Sequence, residues 1–308
     1  MSFRTCIEKK NPILMEGALG ERLKREYGLQ FDEYVAMAKL IYDEKGAKAL
    51  TEIWEEYIAV AKKYKLPFLA TTPTRRANQE RVKLAECTAS VIEDNVRFLR
   101  KIQQSSGIEM YVGGLMGCKG DAYTGEGALS EEEARQFHRW QANCFQRAGA
   151  DFLYAGIMPT LPEAAGMAKA MEETALPYVI SFTIQEDGKL IDGTTIADAI
   201  RYIDCVTRVN PVFYMTNCVH PGIVYKALSK DFNQNELVRK RFLGIQANTS
   251  PLSYAELDGA KELHCSEPEE LSEEMLRLCE ISKMKVFGGC CGTDNRHMEC
   301  IAKKLVQR

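Results

Sequence analysis

Apolar runs of strand length alternate with amphipathic helical stretches eight times along this chain, and few folds absorb such a pattern. Strands are expected at Pro12–Glu16, Leu66–Thr72, Glu109–Leu115, Asp151–Ile157, Tyr178–Ile184, Val212–Asn217, Phe242–Ala247 and Lys285–Gly289. The spacing between them predicts helices over Asp32–Tyr64 (with a break near Gly46), Ala77–Gln104, Ser130 to about Ala148, Leu161–Glu173, Thr195–Val209 and Glu269–Ser282. A less regular helical region covers Pro221–Arg241, Pro251–Glu267 reads as a long loop, and Asn295–Val306 is the last helix. Ser130 with Glu133 three residues on forms a capping box, and Asp294 is placed to cap the last helix. A helix after every strand demands parallel pairing, and eight such units close into a (β/α)8 TIM barrel. An open doubly wound sheet usually has fewer strands, and no G-x-G-x-x-G turn follows the first strand here. No repeat, low-complexity tract or Pro/Ser-rich linker divides the chain, so residues 1–308 read as one domain.

A barrel of this size needs a large core, and 45% hydrophobic residues supply it. The net charge is −3 with Lys and Arg dispersed, which gives no footprint for nucleic acid. No stretch approaches the roughly 20 apolar residues of a membrane span, and Met1–Lys10 lacks the apolar run of a secretion signal. With eleven cysteines this points to a reducing, cytoplasmic setting with thiols free or metal-bound. Cys87, Cys144, Cys205, Cys279 and Cys300 lie on helical patterns and are expected to be buried small apolar residues.

In a barrel the active site lies at the C-terminal ends of the strands, built from several of them. Cys218 ends the sixth strand, and Cys290–Cys291 end the eighth within Gly288-Gly289-Cys290-Cys291-Gly292-Thr293. Three thiols far apart in sequence therefore face one mouth. Three thiolates with an open fourth position describe a catalytic zinc site. The residues alone leave two other uses open, a reactive vicinal pair and three buried fillers. Glu16, at the end of the first strand, is a candidate for a substrate ammonium group or for bracing the rim. Asn217 would orient substrate or brace the metal's surroundings, and Ser181 and Thr183 share a strand face. His220 offers a fourth ligand or a base, with a helix cap or solvent contact the expected role; His297 could reach the mouth but is expected at the surface or in a cap; Cys118 is a candidate extra ligand; and the glycine-rich stretch Gly113–Gly127 reads as a loop over the mouth.

Nearly the whole chain resembles the homocysteine S-methyltransferase family. Gly288–Thr293 looks like that family's signature, and Asn217-Cys218 matches its Asn-Cys pair after strand six. Ile13-Leu14-Met15-Glu16-Gly17-Ala18-Leu19-Gly20 resembles its opening acid-glycine motif. Ser181-Phe182-Thr183, Asp192-Gly193-Thr194 and Ala150-Asp151-Phe152-Leu153 with Pro159 match further segments, as does Asn248. The resemblance implies that Cys218, Cys290 and Cys291 ligate Zn2+, with Glu16, Gly17, Thr72, Ser181 and Asn217 on the substrate side. It implies methyl transfer to homocysteine, as in methionine biosynthesis, or to a related thiol. The small-molecule donor would be a sulfonium such as S-methylmethionine or a betaine, or else a methyl-corrinoid protein; a homo-oligomer fits the same reading. The departures concern the amino-acid clamp. Gly156 and Ile157 stand where the family has Glu and Thr, Glu16 replaces Asp, Ser250 replaces Gly, and Thr72-Pro73-Thr74-Arg75 replaces Thr-Asn-Thr-Phe, with Arg76 following. Loss of the Glu leaves an altered acceptor as one outcome, and a non-catalytic zinc or partner-binding barrel or a corrinoid-linked enzyme as the alternatives. Arg75 and Arg76 favour an anionic group near the mouth.

Overall fold

Each strand buries both faces, so its residues sort into two cores by alternation. The computed structural model describes residues 1–251 and 266–308. The strands are β1 (Ile13–Met15), β2 (Phe68–Thr71), β3 (Met110–Gly117), β4 (Phe152–Met158), β5 (Tyr178–Phe182), β6 (Phe213–Val219), β7 (Phe242–Ala247) and β8 (Val286–Gly289). They pair in parallel in sequence order, and β8 pairs back onto β1. The result is the closed (β/α)8 barrel that the alternation predicts. Ile13, Met15, Leu69, Tyr111, Phe152, Tyr154, Phe213 and Met215 pack inside it. Their neighbours Leu14, Phe68, Ala70, Val112, Leu153 and Tyr214 face the surrounding helices.

Those helices are α1 (Phe3–Lys9), α2 (Gly20–Arg25), α3 (Glu44–Tyr64), α4 (Gln79–Leu84), α5 (Ser90–Ser106), α6 (Glu131–Ala148), α7 (Leu161–Glu172), α8 (Ile196–Val206), α9 (Pro221–Leu228), α10 (Glu236–Arg241), α11 (Pro268–Ile281) and α12 (Asn295–Gln307), numbered over the described residues. A short 3-10 helix, Met37–Tyr42, precedes α3. The capping box of Ser130 and Glu133 starts α6, and Asp294 caps α12, as the sequence indicates.

Several expectations need correction. The expected helix over Ala77–Gln104 is two helices, because Glu86 adopts φ +54° and turns the chain between α4 and α5. Of the helix expected over Asp32–Tyr64, only Glu44–Tyr64 is α-helical: Asp32 and Ala36 form an isolated bridge, Met37–Tyr42 is 3-10, and the Asp43 carboxylate caps α3 by accepting the Gly46 N–H at 2.8 Å. β3 runs on to Gly117, so Gly113 and Gly114 are strand residues on which Phe152 and Phe145 lie. Of the helical cysteines, Cys144 is buried, Cys87, Cys279 and Cys300 are partly exposed, and Cys205 is exposed. Most of the loop expected at Pro251–Glu267, with His264, lies outside the described residues.

Helix α1 has no counterpart in the sequence reading. Ser2 caps it, and it seats Phe3, Cys6 and Ile7 against the inward-facing core. Phe3 stacks on Phe152 with centroids 4.2 Å apart and meets Tyr111 edge-on at 5.9 Å. The end of the barrel remote from the cysteines is thus closed by the chain's own first turns.

Candidate metal centre

Two strand ends bulge toward each other at the C-terminal mouth. The β6–β7 register shifts between Asn217 and Val219, leaving Cys218 as the extra residue, with φ +62°. The β4–β5 register shifts between Ala155 and Met158, and there Ile157 has φ +58°. A left-handed conformation costs a residue with a Cβ about 1–2 kcal/mol, so something must hold both bulges. Asn217 does so: its Oδ1 accepts the Ile157 N–H at 3.0 Å and the Ser181 hydroxyl at 2.5 Å. The bulge turns the Cys218 side chain toward β8, across the end of β7.

Gly288–Thr293 brings the partners. The Cys290 N–H bonds Ala247 O at 2.7 Å, and the Thr293 hydroxyl returns to Cys290 O at 2.7 Å while accepting the Ala18 N–H at 3.1 Å. Gly292 has φ +82°, and a Cβ there would run into the Thr249 hydroxyl. The three sulfurs lie within 4.8 Å of one another, Cys218 and Cys291 at 3.4 Å. Sulfurs held tetrahedrally at about 2.3 Å from zinc stand about 3.8 Å apart, so the donor set fits a zinc ion. Cys218 is buried, Cys290 partly exposed and Cys291 exposed, which leaves one side open.

Electrostatics point the same way. Hydrogen bonds from Cys290 and Cys291 hold the Cys218 thiol well below its ordinary range. The bonds they give to Cys218 push both of them up. The metal-free arrangement favours negative charge at Cys218 over its two neighbours, and a bound cation would favour the thiolate form of all three. Asn248 Nδ2 lies 3.7 Å from the Cys218 sulfur, and the Tyr123 hydroxyl hydrogen-bonds it as well. Tyr154 lies beneath the cluster, its hydroxyl on Gln246 at 2.8 Å.

Comparison with known proteins follows this geometry. The family profile described as homocysteine S-methyltransferase matches residues 13–305. The chain belongs to the homocysteine S-methyltransferase family. It is 25% identical over 209 residues to homocysteine S-methyltransferase YbgG of Bacillus subtilis (strain 168), covering 62% of this chain and 65% of that protein. It is 25% identical over 185 residues to homocysteine S-methyltransferase 3 of Arabidopsis thaliana, covering 58% of this chain and 50% of that one. The matches thus span between half and two thirds of these curated relatives. The metallated form of the homocysteine methyltransferase MmuM from Escherichia coli shares the fold, with a TM-score of 0.77 at 19% identity over 98% of this chain and 99% of that one.

Gly156 and Thr72, which the resemblance puts at the amino-acid clamp and rim, are closely packed by the chain itself. A Cβ on Gly156 would meet Leu115 Cδ1 at 2.8 Å, so an apolar side chain occupies the space beside this glycine. The rim residues have internal partners. Thr72 is fully buried, its hydroxyl 2.7 Å from that of Thr74 and 3.2 Å from the Leu115 N–H it accepts. Gly17 admits Tyr57, whose hydroxyl bonds Ala18 O at 2.8 Å. His220 caps α9, and His297 joins the cap of α12 while its Nε2 lies 3.1 Å from Ser266 O. Cys118 stands outside the sulfur cluster, 3.5 Å from Gly120 O.

Glu16 is buried, with Oε2 accepting Trp54 Nε1–H at 2.7 Å and Oε1 accepting the Thr71 N–H at 2.9 Å and hydroxyl at 2.5 Å. Burial outweighs these bonds and pushes its carboxyl up to about 7. Stability from this group is therefore fully present below pH 4.5, its ordinary value, and is lost as pH rises through about 7. Glu16→Gln abolishes the titration but sets its amide N–H against a donor. The wild-type advantage should then shrink by about 3 kcal/mol across that window. Denaturant curves on both proteins give the value, and a pH-independent difference would show that Glu16 does not titrate there.

Three residues in or anchoring the loop beside the cysteines, Ala122, Tyr123 and Glu163, escaped the sequence reading. Ala122 and Tyr123, in the loop after β3, pack on Ile157 and the cysteines. Glu163 of α7 anchors that loop, accepting the Lys119 N–H at 2.7 Å and the Leu129 N–H at 3.4 Å beside buried His138 at 3.2 Å. Proximity of Tyr123 to the cysteines had no sequence signal. Glu163, a carboxylate in the apolar stretch Leu161–Met171, had a weak one.

Proposed function

We propose that Cys218, Cys290 and Cys291 hold zinc and that the protein transfers a methyl group to an acceptor thiol, homocysteine or a relative of it. The observation that carries this reading is the convergence of three sulfurs at an open-sided barrel mouth. Zinc bound by three thiolates supplies a fourth position at which a thiol is held deprotonated near neutral pH. The chain's residues do the rest. Asn217 and Ser181 lock the bulge that aims Cys218, and Asn248 fixes that sulfur's direction. Tyr154 closes the floor, and Tyr123 covers the cluster from the loop side. Glu16, Gly17 and Thr72 form the neighbouring rim, which we assign with Ser181 and Asn217 to the substrate side.

In the transfer the acceptor sulfur attacks the donor's methyl carbon in line. The new S–C bond forms as the methyl group's bond to a sulfonium sulfur, a quaternary nitrogen or a corrinoid cobalt breaks. The bonding pair leaves with the donor, and the thiol proton has already passed to water. No helix among the described residues is long and apolar enough to cross a membrane. We place the protein, as one barrel domain, in the reducing cytoplasm.

The test begins with metal analysis of the purified protein. Chelation should abolish methyl transfer and zinc should restore it, in a screen of S-methylmethionine, betaine and a methyl-corrinoid protein against a panel of thiols. Transfer undiminished in metal-stripped protein would overturn the reading.

A further inference from the structure

A second feature of the mouth lies beside Tyr123. A cavity of about 140 Å3 opens there, lined by Arg75, Arg76, Arg81, Cys118, Lys119 and Tyr123 among others. Its charges do not balance. Lys119 pairs with Glu80 at 3.2 Å, and Arg81 donates to Tyr34 O at 3.4 Å. Among the described residues, neither Arg75 nor Arg76 has a carboxylate within ion-pair distance. Asp121 lines the same cavity; its Oδ1 accepts the N–H groups of Tyr123 and Thr124 at 2.7 and 2.8 Å, and these bonds, with a smaller contribution from Arg75, hold its carboxyl below the ordinary range, so one carboxylate faces four cationic side chains. Burial first, and then Arg81 and Arg75, push the Arg76 guanidinium below its ordinary value, as expected where cations outnumber carboxylates.

The arginines are also held in place. The Thr74 hydroxyl donates to Leu115 O at 3.0 Å, Gln141 Nε2 donates to Thr74 O at 3.0 Å, and Gly117 N–H bonds Arg75 O at 3.1 Å. A Cβ on Gly117 would meet Arg75 Cγ at 2.6 Å, so the stem of Arg75 lies on the bare backbone of β3. Tyr123 belongs to both places, lining this cavity and touching Cys218. Leu115 Cδ1 lies 2.8 Å from where a Cβ on Gly156 would stand, at the position where the family resemblance implies a carboxylate for an ammonium group.

We propose that this cavity binds the anionic group of the acceptor, and that the acceptor is a short thiol bearing a carboxylate or sulfonate and needing no amino group. The proposal rests on the thiol-methyltransferase reading above. Sulfur at the three cysteines and anion among the arginines place such an acceptor along the Tyr123 ring. Guanidinium groups without partners suit this task, because they give planar, two-pronged hydrogen bonding to carboxylate or sulfonate.

The test uses cobalt-substituted protein, whose visible absorption reports a thiol joining the metal without any methyl donor. The probes are 3-mercaptopropionate, homocysteine, 2-mercaptoethanol and cysteamine. 3-Mercaptopropionate should bind at least as tightly as homocysteine and at least ~10-fold more tightly than cysteamine. Arg75→Gln/Arg76→Gln should weaken 3-mercaptopropionate ~10-fold or more and leave 2-mercaptoethanol unchanged, which also shows the variant is folded. Propionate, which has no sulfur, tests the cavity alone: it should bind metal-free protein by calorimetry and lose that binding in the double variant. Equal binding of cysteamine and 3-mercaptopropionate, or an unaffected double variant, overturns the proposal. If no thiol changes the cobalt spectrum while propionate still binds, it is the metal–thiol reading that has failed, and the acceptor assignment falls with it.

Discussion

Cys218→Ser should leave the barrel folded but cost at least 100-fold in zinc affinity, and methyl transfer should fall below detection. The magnitude follows from what is removed. Changes to residues that only orient metal ligands cost roughly 10–100-fold, and this change removes one of the three proposed ligands. A serine hydroxyl stays protonated under conditions where Cys218 is a thiolate, favoured by hydrogen bonds from its two cysteine neighbours. The left-handed backbone at position 218 is unchanged, so the cost comes through the metal rather than through the local backbone. Cys205→Ser, on an exposed thiol, is the matched control and should behave as wild type. Metal content with competitive chelator titration gives the affinity, and stoichiometric zinc at wild-type affinity in Cys218→Ser would end the three-sulfur assignment.

Asn217→Ala comes second in expected effect. Its Oδ1 serves two buried donors, the Ile157 N–H and the Ser181 hydroxyl. Stranding buried donors costs about 1–3 kcal/mol each, so a loss of about 3 kcal/mol in unfolding free energy is expected. Both bulges lose their tie, so zinc affinity should also fall by about 10–100-fold. Asn217→Asp keeps an acceptor at this position and should recover most of the stability. Denaturant midpoints and chelator titrations on the pair separate these effects. A stable Asn217→Ala variant with unaltered metal affinity would show that the bulges hold themselves.

The barrel was legible because alternation of strand and helix is a property of local sequence, and Ile13, Leu14 and Met15 already show the two-faced pattern. The convergence of Cys218 with Cys290 and Cys291 was legible for a related reason, since a closed barrel sends every strand end to one rim. The finer geometry was not. That Cys218 sits on a bulge depends on a one-residue register shift against β7, which no periodicity records. The split between α4 and α5 hinges on Glu86 in a left-handed conformation, a residue type that does not announce a turn. Helix α1 was missed because its apolar residues, Phe3, Cys6 and Ile7, are too few to stand out in a window. Tyr123 is placed by a loop whose path is set by Glu163, forty residues away in sequence.

The sulfurs come from the ends of β6 and β8, with β7 between them, and Cys218 and Cys291 are 73 residues apart. An ion gripping both is then a clasp across the last part of the barrel, next to the β8–β1 seam. Cross-linking a segment of that length restricts the unfolded chain by about 4 kcal/mol in a simple loop-entropy account. Loss of the ion would loosen closure of the cylinder as well as silence the chemistry. Faster amide exchange in β7 and β8 than in β3 and β4 after chelation would be its signature.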